Sequence, residues 1–437
     1  MLTNISEHLF FSDFCDILIA MSRYYDDNRH NLSNNNKQLI RIFLITLACI
    51  LVVGIPALLI IKRIKTGGGD DHGFLVGAWE KIPEAGYAKN ITGGSGEEGG
   101  EPVIDEEDKD YTHMIKTSDD DTVTIGFAGD ILFDENYAVG DKFKRNGDTA
   151  EGIVGNSLLD KMRGVDIMMI NNEFPYSGRG EPRSGKTYTF RARPETTSIL
   201  KSMGADIVSL ANNHAYDYGE TALVDSFAAL DEAGIVYAGA GNNIDEASHP
   251  VYYVTDNGMK IAFICATQIE RLDNPDTKGA TEDAPGVFRC FNDSQLLEKI
   301  AEARSKNAYV IVFVHWGTES TTEVDYLQRD QAKEIAQAGA DLIIGAHPHV
   351  LQRIDYVDGV PVVYSLGNYI FNSKTLDTGM VITTLHKNGA VNLQFVPAIQ
   401  SGCAVNEAEG EERSRVLNWM ASISPGVNID ENGYISP

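Results

Sequence analysis

The sequence is poor in cysteine and in positive charge. Its 437 residues include only five cysteines, which are scattered along the chain without a C-x-x-C spacing. This pattern argues against a disulfide framework and against a zinc ribbon. The 36 Lys and Arg residues are outnumbered by 63 Asp and Glu residues, which gives a formal net charge of -27. A nucleic-acid-binding protein needs a basic surface, so the composition excludes nucleic acid as a partner.

Apolar runs long enough to cross a bilayer are absent, with one exception. Residues 42–61, IFLITLACILVVGIPALLII, contain no charged residue. A stretch of about 20 apolar residues matches the hydrocarbon thickness of a membrane. The run is too long and begins too late in the chain for a cleaved signal peptide. We therefore predict one transmembrane helix, and hence the membrane as a partner.

The charges that flank this helix leave its orientation open. Four basic residues precede it and four follow it, which is a tie under the positive-inside rule. They are Arg23, Arg29, Lys37 and Arg41 on one side, and Lys62, Arg63, Lys65 and Lys81 on the other.

The composition divides the chain into five regions. Residues 1–41 form a mixed, polar N-terminal segment, and the predicted helix at 42–61 follows. Residues 62–120 contain Gly-rich and acidic runs such as GGSGEEGGEP, which are typical of a flexible linker. A globular domain is predicted for residues 121–400. The tail, 401–437, shows one helix-like stretch and otherwise weak signals.

Within the predicted domain, apolar segments alternate with amphipathic ones. TVTIGFAG, VDIMMIN and AYVIVFV are nearly continuous apolar runs, typical of strands that are buried on both faces. Segments such as GETALVDSFAALDEAG have a helical pattern. Asp256-Asn257-Gly258 is a hairpin turn signal, and several late strands follow one another without helices. The class predicted is α/β with an antiparallel portion, arranged as a layered sandwich.

Polar residues of the metal-ligand kind follow five of the predicted strands. Because α/β sheets bind ligands at the carboxyl ends of their strands, we expect these residues to converge at one edge. Carboxylate, amide and imidazole together suit zinc, manganese or iron better than calcium. Each group taken alone is a weak signal, because a lone Asp after a strand is more often part of a turn or a helix cap, and a lone His is more often a satisfied polar residue. The five groups are Asp130; Asn171, Asn172 and Glu173; Asn213 and His214; His315; and His347 with His349.

Taken in this order, these motifs resemble the capsule-synthesis protein CapA family, which is named for poly-γ-glutamate capsule production. KTYTFRARP (186–194) and YSLGNYIF (364–371) add to the resemblance, which covers about residues 122–400. The family is in turn similar to calcineurin-like metallophosphoesterases, and NNHAYDYG resembles the Asn-His-Glu motif of their 5′-nucleotidase branch. The resemblance implies a four-layer α/β/β/α metallophosphoesterase-like sandwich with a two-metal site. In this chain it would be preceded by the transmembrane helix.

The resemblance implies roles for His214 and the metal ligands, and the chemistry of nearby residues suggests further roles. His214 would donate a proton to the leaving group, and Asp217 could either orient the His214 ring or cap the following helix. Arg191 and Arg193 could bind a carboxylate or phosphate of the substrate, or lie on a solvated strand. Asn368 could reach the same cleft. The implied metal ligands are Asp130, Glu173, Asn213, His315, His347 and His349.

Two departures from the family pattern concern the second metal. The usual first motif is Asp-x-His, whereas Asp130 is followed by Ile131 and Leu132, so one imidazole is missing. The bridging carboxylate is Glu173, one methylene longer than the usual Asp. We therefore expect either one metal ion or two ions bound with unequal affinity.

Three functional hypotheses follow. The first is a cell-surface, metal-dependent hydrolase or transferase that acts on phosphoesters or on an anionic polymer such as poly-γ-glutamate. The second is an accessory protein that binds the polymer without turnover, alongside other capsule-synthesis membrane proteins. The third is a degenerate fold with neither metal nor catalysis, which predicts that the five polar groups do not converge. The family and the long acidic linker favour an extracellular C-terminal domain, with the N-terminus inside.

Overall fold

A computed structural model of the protein describes residues 104–269 and 277–437. These residues belong to Asn90–Pro437, one of the chain's two compact units. The predicted N-terminal segment, the predicted transmembrane helix at 42–61 and most of the predicted linker lie outside the described residues. In the described ranges, no helix is long and apolar enough to cross a membrane.

Strands and helices alternate through the first part of the described chain, and strands dominate the later part. The helices are α1 (Ala138–Arg145), α2 (Asn156–Gly164), α3 (Ser198–Met203), α4 (Gly219–Ala233), α5 (Ile244–Ser248), α6 (Ser294–Ser305), α7 (Tyr326–Ala338) and α8 (Gly410–Ile423). Short 3-10 helices occupy Glu106–Tyr111 and Pro194–Thr197. The strands are β1 (Thr112–Ile115), β2 (Thr122–Ile131), β3 (Ile167–Asn172), β4 (Ile207–Ser209), β5 (Val236–Ala238), β6 (Ala240–Gly241), β7 (Val251–Thr255), β8 (Lys260–Thr267), β9 (Gly286–Val287), β10 (Tyr309–His315), β11 (Leu342–Ala346), β12 (Ile354–Val357), β13 (Val360–Val363), β14 (Asn368–Ile370), β15 (Leu376–His386), β16 (Val391–Ser401), β17 (Ala404–Glu407), β18 (Asn428–Ile429) and β19 (Tyr434–Ser436).

Most of the described strands form two large mixed sheets, and β6 and β9 pair in a small separate sheet. The first has the order β1-β7-β8-β10-β11-β13-β12, and its central strands β8, β10 and β11 run parallel. The second has the order β18-β19-β16-β15-β2-β3-β4-β5, with β14 beside β2 and β17 beside β16. In it, β2 to β5 are parallel, whereas β15 and β16 are antiparallel. The predicted α/β class with an antiparallel portion is confirmed, as is the hairpin at Asp256-Asn257-Gly258, which joins β7 to β8.

The two sheets pack face to face, and helices cover their outer faces. Ile125 and Phe127 of β2 share one apolar core with Phe313 of β10. The next residue along β2, Ala128, points to the other face, where α1 to α4 form a second core. Helices α6 and α7 form a third core on the outer face of the first sheet. Because side chains alternate between the two faces of a strand, strands in the middle layers must be apolar on both faces.

The domain extends beyond the predicted boundaries of 121–400. Strand β1 lies inside the predicted linker, yet it pairs in parallel with β7. At the other end, β17 and β19 pair with β16, and α8 packs Val416 and Met420 into the core between the sheets. Strands β17 to β19 are only two to four residues long. Runs this short carry almost no periodic signal, so the sequence pattern did not reveal them.

A buried charge cluster attaches the first described segment to the first sheet. Asp108 is fully buried, and the Lys306 ammonium group donates to its two carboxylate oxygens at 2.9 and 3.0 Å. Lys306 also pairs with Glu107 and Glu302. Burial acts to lower the pKa of Lys306, but the hydrogen bonds to these three carboxylates outweigh burial and raise it above its usual value. Lys306 therefore stays charged and compensates the buried Asp108.

Replacing Lys306 by Met is expected to lower the free energy of unfolding by about 3 kcal/mol, because it leaves the Asp108 carboxylate buried without its main partner. Urea denaturation of the full chain in detergent would measure the change. Lys109→Met is the matched control, since Lys109 pairs with Glu106 at 3.7 Å and its side chain is 67% exposed. The control should cost less than about 0.5 kcal/mol. Equal losses for the two variants would contradict a stabilising role for the buried cluster.

Candidate metal centre

The carboxyl ends of strands from both sheets meet at one place. Asp130 lies at the end of β2, and Glu173 follows β3 in the second sheet. His315 ends β10 of the first sheet, yet its ring contacts the side chains of Asn171 and Asn213, which come from the second. The five polar groups therefore converge, which contradicts the degenerate-fold hypothesis. Parallel strands in two packed sheets bring together residues that are far apart in the chain.

His315 lies at the centre of this group of side chains. Its Nε2 lies 2.8 Å from Asn213 Oδ1, 3.0 Å from His347 Nδ1 and 3.5 Å from Glu173 Oε1. Ligands that bind zinc tetrahedrally at about 2.1 Å are about 3.4 Å from one another. The donor atoms around His315 Nε2 thus have the spacing that a small cation requires. His349 extends the group, because Glu173, His347 and His349 offer ligand atoms that all lie within 4.8 Å of one another.

Glu173 provides the test of whether these residues fit a metal ion. Both of its carboxylate oxygens are buried and have no hydrogen-bond partner among the described residues. Burial raises the pKa of Glu173 well above its usual value, and the nearby Asp130 carboxylate raises it further. A carboxylate in such surroundings is costly unless a cation compensates it. A divalent metal ion held by Glu173 and the imidazoles would supply the missing partner, so the residues present fit this group.

The histidines of the cluster differ in their electrostatic environment. Burial lowers the pKa of His315 and of His347 well below the usual value, and the neighbouring imidazoles lower both further. Neutral imidazoles present a lone pair, as metal ligation requires. Burial also acts to lower the pKa of His349, but the Glu173 and Asp130 carboxylates outweigh it and raise the pKa to about 9.

His214 is held next to the ligand group by a buried carboxylate. Its Nδ1 lies 2.6 Å from Asp217 Oδ2, so Nδ1 carries a hydrogen and donates a hydrogen bond to Asp217. Its Nε2 is directed toward the ligand group and lies 4.0 Å from Glu173 Oε1. Burial lowers the pKa of His214, although Asp217 opposes this effect. Asp217 does not cap α4, whose N-cap residue is Tyr218 and lacks a side-chain cap. Of the two roles considered for Asp217, the geometry therefore fits orientation of His214.

Lys186 holds the Asp217 carboxylate in place, although the sequence pattern predicted no role for this residue. Its Nζ donates to Asp217 Oδ1 at 2.5 Å and also to the backbone carbonyl of Asn213. The Lys186 side chain is only 7% exposed. The backbone N–H of Phe190 donates to Asp217 Oδ2 at 2.7 Å. These partners lie 27 to 31 positions apart in the chain, so local spacing could not reveal them. The only available signal was the place of Lys186 in the KTYTFRARP motif.

The candidate substrate-binding residues differ in their contacts. The Arg191 guanidinium lies 4.2 Å from the centre of the Tyr218 ring. Arg193 pairs with Glu135 at 3.1 Å and is 65% exposed. In the described part of the chain, neither arginine contacts a candidate metal ligand. Asn368 does so, because its Oδ1 lies 2.8 Å from His349 Nδ1.

Two polar residues at the strand ends hold loops instead of facing the metal. Asn172 donates to the carbonyl of Phe174 and accepts from the Tyr176 hydroxyl at 2.7 Å. Asn212 donates to the backbone carbonyl of Asn172 at 2.9 Å. These amides connect the loops that carry Glu173 and Asn213, which fixes the two loops relative to each other.

The backbone around the site adopts conformations that need special residues or local strain. A Cβ at Gly129 would lie 2.0 Å from the Gly367 carbonyl oxygen, so only glycine allows β2 to approach this loop. The close approach puts Asp130 beside Asn368 in the strand register. His347 and His349 have φ angles of +99° and +60°, which side-chain-bearing residues rarely adopt. Such strain is typical of functional sites.

The sequence of the chain also matches a known protein family. The chain belongs to the bacterial capsule synthesis protein PGA_cap family, whose model matches residues 124–373. It is 31% identical over 318 residues to the capsule biosynthesis protein CapA of Bacillus anthracis, covering 70% of this chain and 74% of that protein. It is 29% identical over 295 residues to the PGA biosynthesis protein CapA of Bacillus subtilis (strain 168), covering 66% and 74%. A probable polyglutamine synthesis accessory protein of Mycobacterium tuberculosis is 25% identical over 286 residues, covering 61% and 74%. The resemblance to the CapA family is thereby confirmed.

Replacing both His347 and His349 by Ala should abolish metal binding, because it removes two of the three groups that lie closest together. The measurement is elemental analysis of the full chain, purified in detergent after exposure to zinc, manganese or iron. His386→Ala is the control, since His386 lies away from the site and contacts Asn392. Metal retained by the double variant, or absent from the wild type under every loading condition, would contradict a metal centre here.

Proposed function

We propose that the protein acts in the synthesis or export of an anionic capsule polymer such as poly-γ-glutamate, through a metal-dependent hydrolase or transferase site. The observation that carries this proposal is the His214–Asp217 pair, buried directly beside a cluster of metal-ligand side chains. Membership of the PGA_cap family and the names of the Bacillus relatives support the choice of polymer. The layering of two sheets between helices, with ligand groups at the strand ends, supports a metallophosphoesterase-like sandwich.

The candidate ligands would hold a zinc, manganese or iron ion at the strand ends. The chemistry that a bound ion of this kind supplies is activation of water and polarisation of the bond under attack. The chain's own contribution is the movement of a proton at His214. Asp217 fixes the proton on Nδ1, so Nε2 is the ring nitrogen available to the substrate. Nε2 would first take up a proton from water, forming an imidazolium that Asp217 stabilises. It would then give this proton to the leaving nitrogen of an amide or to the leaving oxygen of a phosphoester.

Lys186 and the Phe190 N–H keep Asp217 in position for this task. With these two donors and His214, the buried Asp217 carboxylate has three hydrogen-bond partners. A fully satisfied buried network of this kind is rigid, because any displacement would leave a polar group without a partner. The His214 ring also packs against Phe190, with ring centres 4.4 Å apart.

An anionic substrate fits the charge around the site. Residues 179–193 contain five basic residues and one acidic residue, in a chain with a formal net charge of -27. This segment reaches the site through Lys186 and Phe190. Arg191 stacks on Tyr218, whereas Arg193 pairs with Glu135, so we infer that Arg191 is the better placed of the two to bind a substrate carboxylate. Asn368, which contacts His349, would meet the substrate at the ligand group.

Replacing His214 by Gln should lower the turnover number about 10²- to 10⁴-fold, because it removes the group that moves the proton. Asp217→Asn should lower it as well, since the ring would lose its orienting acceptor. The test uses the full chain loaded with metal, poly-γ-glutamate and a panel of phosphoesters, with elemental analysis of each variant. His386→Gln is the control. Unchanged turnover in His214→Gln, with metal still bound, would rule out this role.

A non-catalytic role in the same machinery is the alternative. It is favoured by the missing imidazole after Asp130 and by a relative whose name describes an accessory protein. In this case the full chain would bind the polymer but would not cleave or transfer it, and His214→Gln would bind equally well. The same panel of substrates, followed by a polymer-binding assay, separates the two functions.

We also propose a single-pass membrane anchor at residues 42–61, with the C-terminal domain outside the cell. The uncharged run of 20 residues and the acidic linker after it support this arrangement. Protease added to intact cells should then remove the domain, while an epitope tag at the N-terminus stays protected until lysis. A domain that survives in intact cells but is digested after lysis would contradict the external location.

A further inference from the structure

Asp130 and Glu173 are both fully buried carboxylates at the site, but their surroundings differ. Asp130 Oδ1 accepts a hydrogen bond from Asn171 Nδ2 at 2.7 Å, and Oδ2 lies 3.1 Å from His349 Nδ1. Both oxygens of Asp130 are therefore engaged by side chains of the protein. Both oxygens of Glu173, in contrast, have no hydrogen-bond partner among the described residues. Asp130 is thus satisfied by protein side chains, whereas both oxygens of Glu173 are free to bind a cation.

The position of His349 Nδ1 decides which nitrogen of this ring can bind a metal ion. Nδ1 lies between two oxygens, Asp130 Oδ2 at 3.1 Å and Asn368 Oδ1 at 2.8 Å. A ring nitrogen between two acceptors must carry a proton, and a protonated nitrogen cannot bind a metal ion. Nε2 is therefore the metal-binding nitrogen of His349, and it lies 3.9 Å from Glu173 Oε1. A ligating histidine commonly donates its other N–H to a carboxylate or carbonyl in this way.

The ring nitrogens gather around a single oxygen atom. His315 Nε2, His349 Nε2 and His214 Nε2 lie 3.5, 3.9 and 4.0 Å from Glu173 Oε1. The place where a further imidazole would be expected, just after Asp130, holds Ile131 and Leu132, which are buried in the apolar core under the helices. Among the described residues, these ring nitrogens therefore converge on Glu173, and the two residues that follow Asp130 bring no imidazole to it.

We propose that the centre binds one divalent metal ion, through ligands drawn from Glu173, Asn213, His315, His347 and His349, and that Asp130 and Asn368 position His349. Asp130 is thus a positioning residue and not the ligand of a second ion. The inference rests on the metal-dependent site proposed above, and it replaces the two-metal arrangement that the family resemblance implied. It concerns only how many ions bind and through which residues.

The experiment measures metal stoichiometry and affinity in the full chain purified in detergent. Metal-free protein is titrated with Co²⁺ by calorimetry and by visible absorption, and bound metal is counted by elemental analysis. The wild type should bind one equivalent. Asp130→Asn should still bind one equivalent, with affinity weakened about 10- to 100-fold. Glu173→Gln should bind none, and its thermal unfolding would show whether it remains folded.

A double variant that exchanges the carboxylate of Asp130 with the amide of Asn368 tests whether Asp130 positions His349 or binds a metal ion itself. In Asp130→Asn/Asn368→Asp the carboxylate moves to the other acceptor of His349 Nδ1–H, so affinity and the Co²⁺ spectrum should return toward those of the wild type. Two equivalents in the wild type, with one lost in Asp130→Asn, would overturn the inference but leave the proposed function standing. One equivalent without turnover of any substrate would leave the inference standing and count against the hydrolase. Failure of the wild type to bind metal would overturn both.

Discussion

The two oxygens of Glu173 are buried and have no hydrogen-bond partner in the described part of the chain, and the arrangement of the site follows from this unsatisfied carboxylate. A carboxylate removed from water is tolerated only where a cation or a proton compensates it. The rings of His315 and His349 direct a nitrogen toward its Oε1 at 3.5 and 3.9 Å, which is an arrangement that suits the binding of a metal ion. The surrounding polar residues Asp130, Asn368, Asp217 and Lys186 have hydrogen-bond partners of their own, and they orient the histidine rings around Glu173.

The layered fold stabilises the protein enough to offset the cost of these buried polar groups, and it also positions them. Three apolar cores, one between the sheets and two under the helices, hold the strand ends in fixed register. Ligands come from both sheets, and the core between them brings His315 of β10 against Asn213. The site therefore depends on the packing of the two sheets. A change in that packing would separate its ligands even if every candidate ligand residue were retained.

Two polar networks act on the site from opposite sides. On one side, Lys186 and Asp217 fix the ring of His214. On the other side, Asp130 and Asn368 fix the ring of His349. In both networks a buried carboxylate accepts a hydrogen bond from the Nδ1–H group of the ring, and Nε2 faces Glu173. Under the proposed function, the same arrangement would serve proton transfer in His214 and metal ligation in His349.

The sequence by itself determined the α/β class, the family and the residues that meet at the site, because apolar periodicity and the chemistry of strand-end residues are local properties. It also determined that the imidazole after Asp130 is missing. Only the tertiary structure decided that Lys186 supports Asp217, that Arg193 is paired with Glu135, and that β1 and the last 37 residues complete the sheets. The tertiary structure also places Asp130 beside Asn171 and His349, whereas no described residue forms a hydrogen bond with the Glu173 carboxylate. These facts depend on contacts between residues distant in the chain, and a one-dimensional pattern does not encode the distance between two side chains.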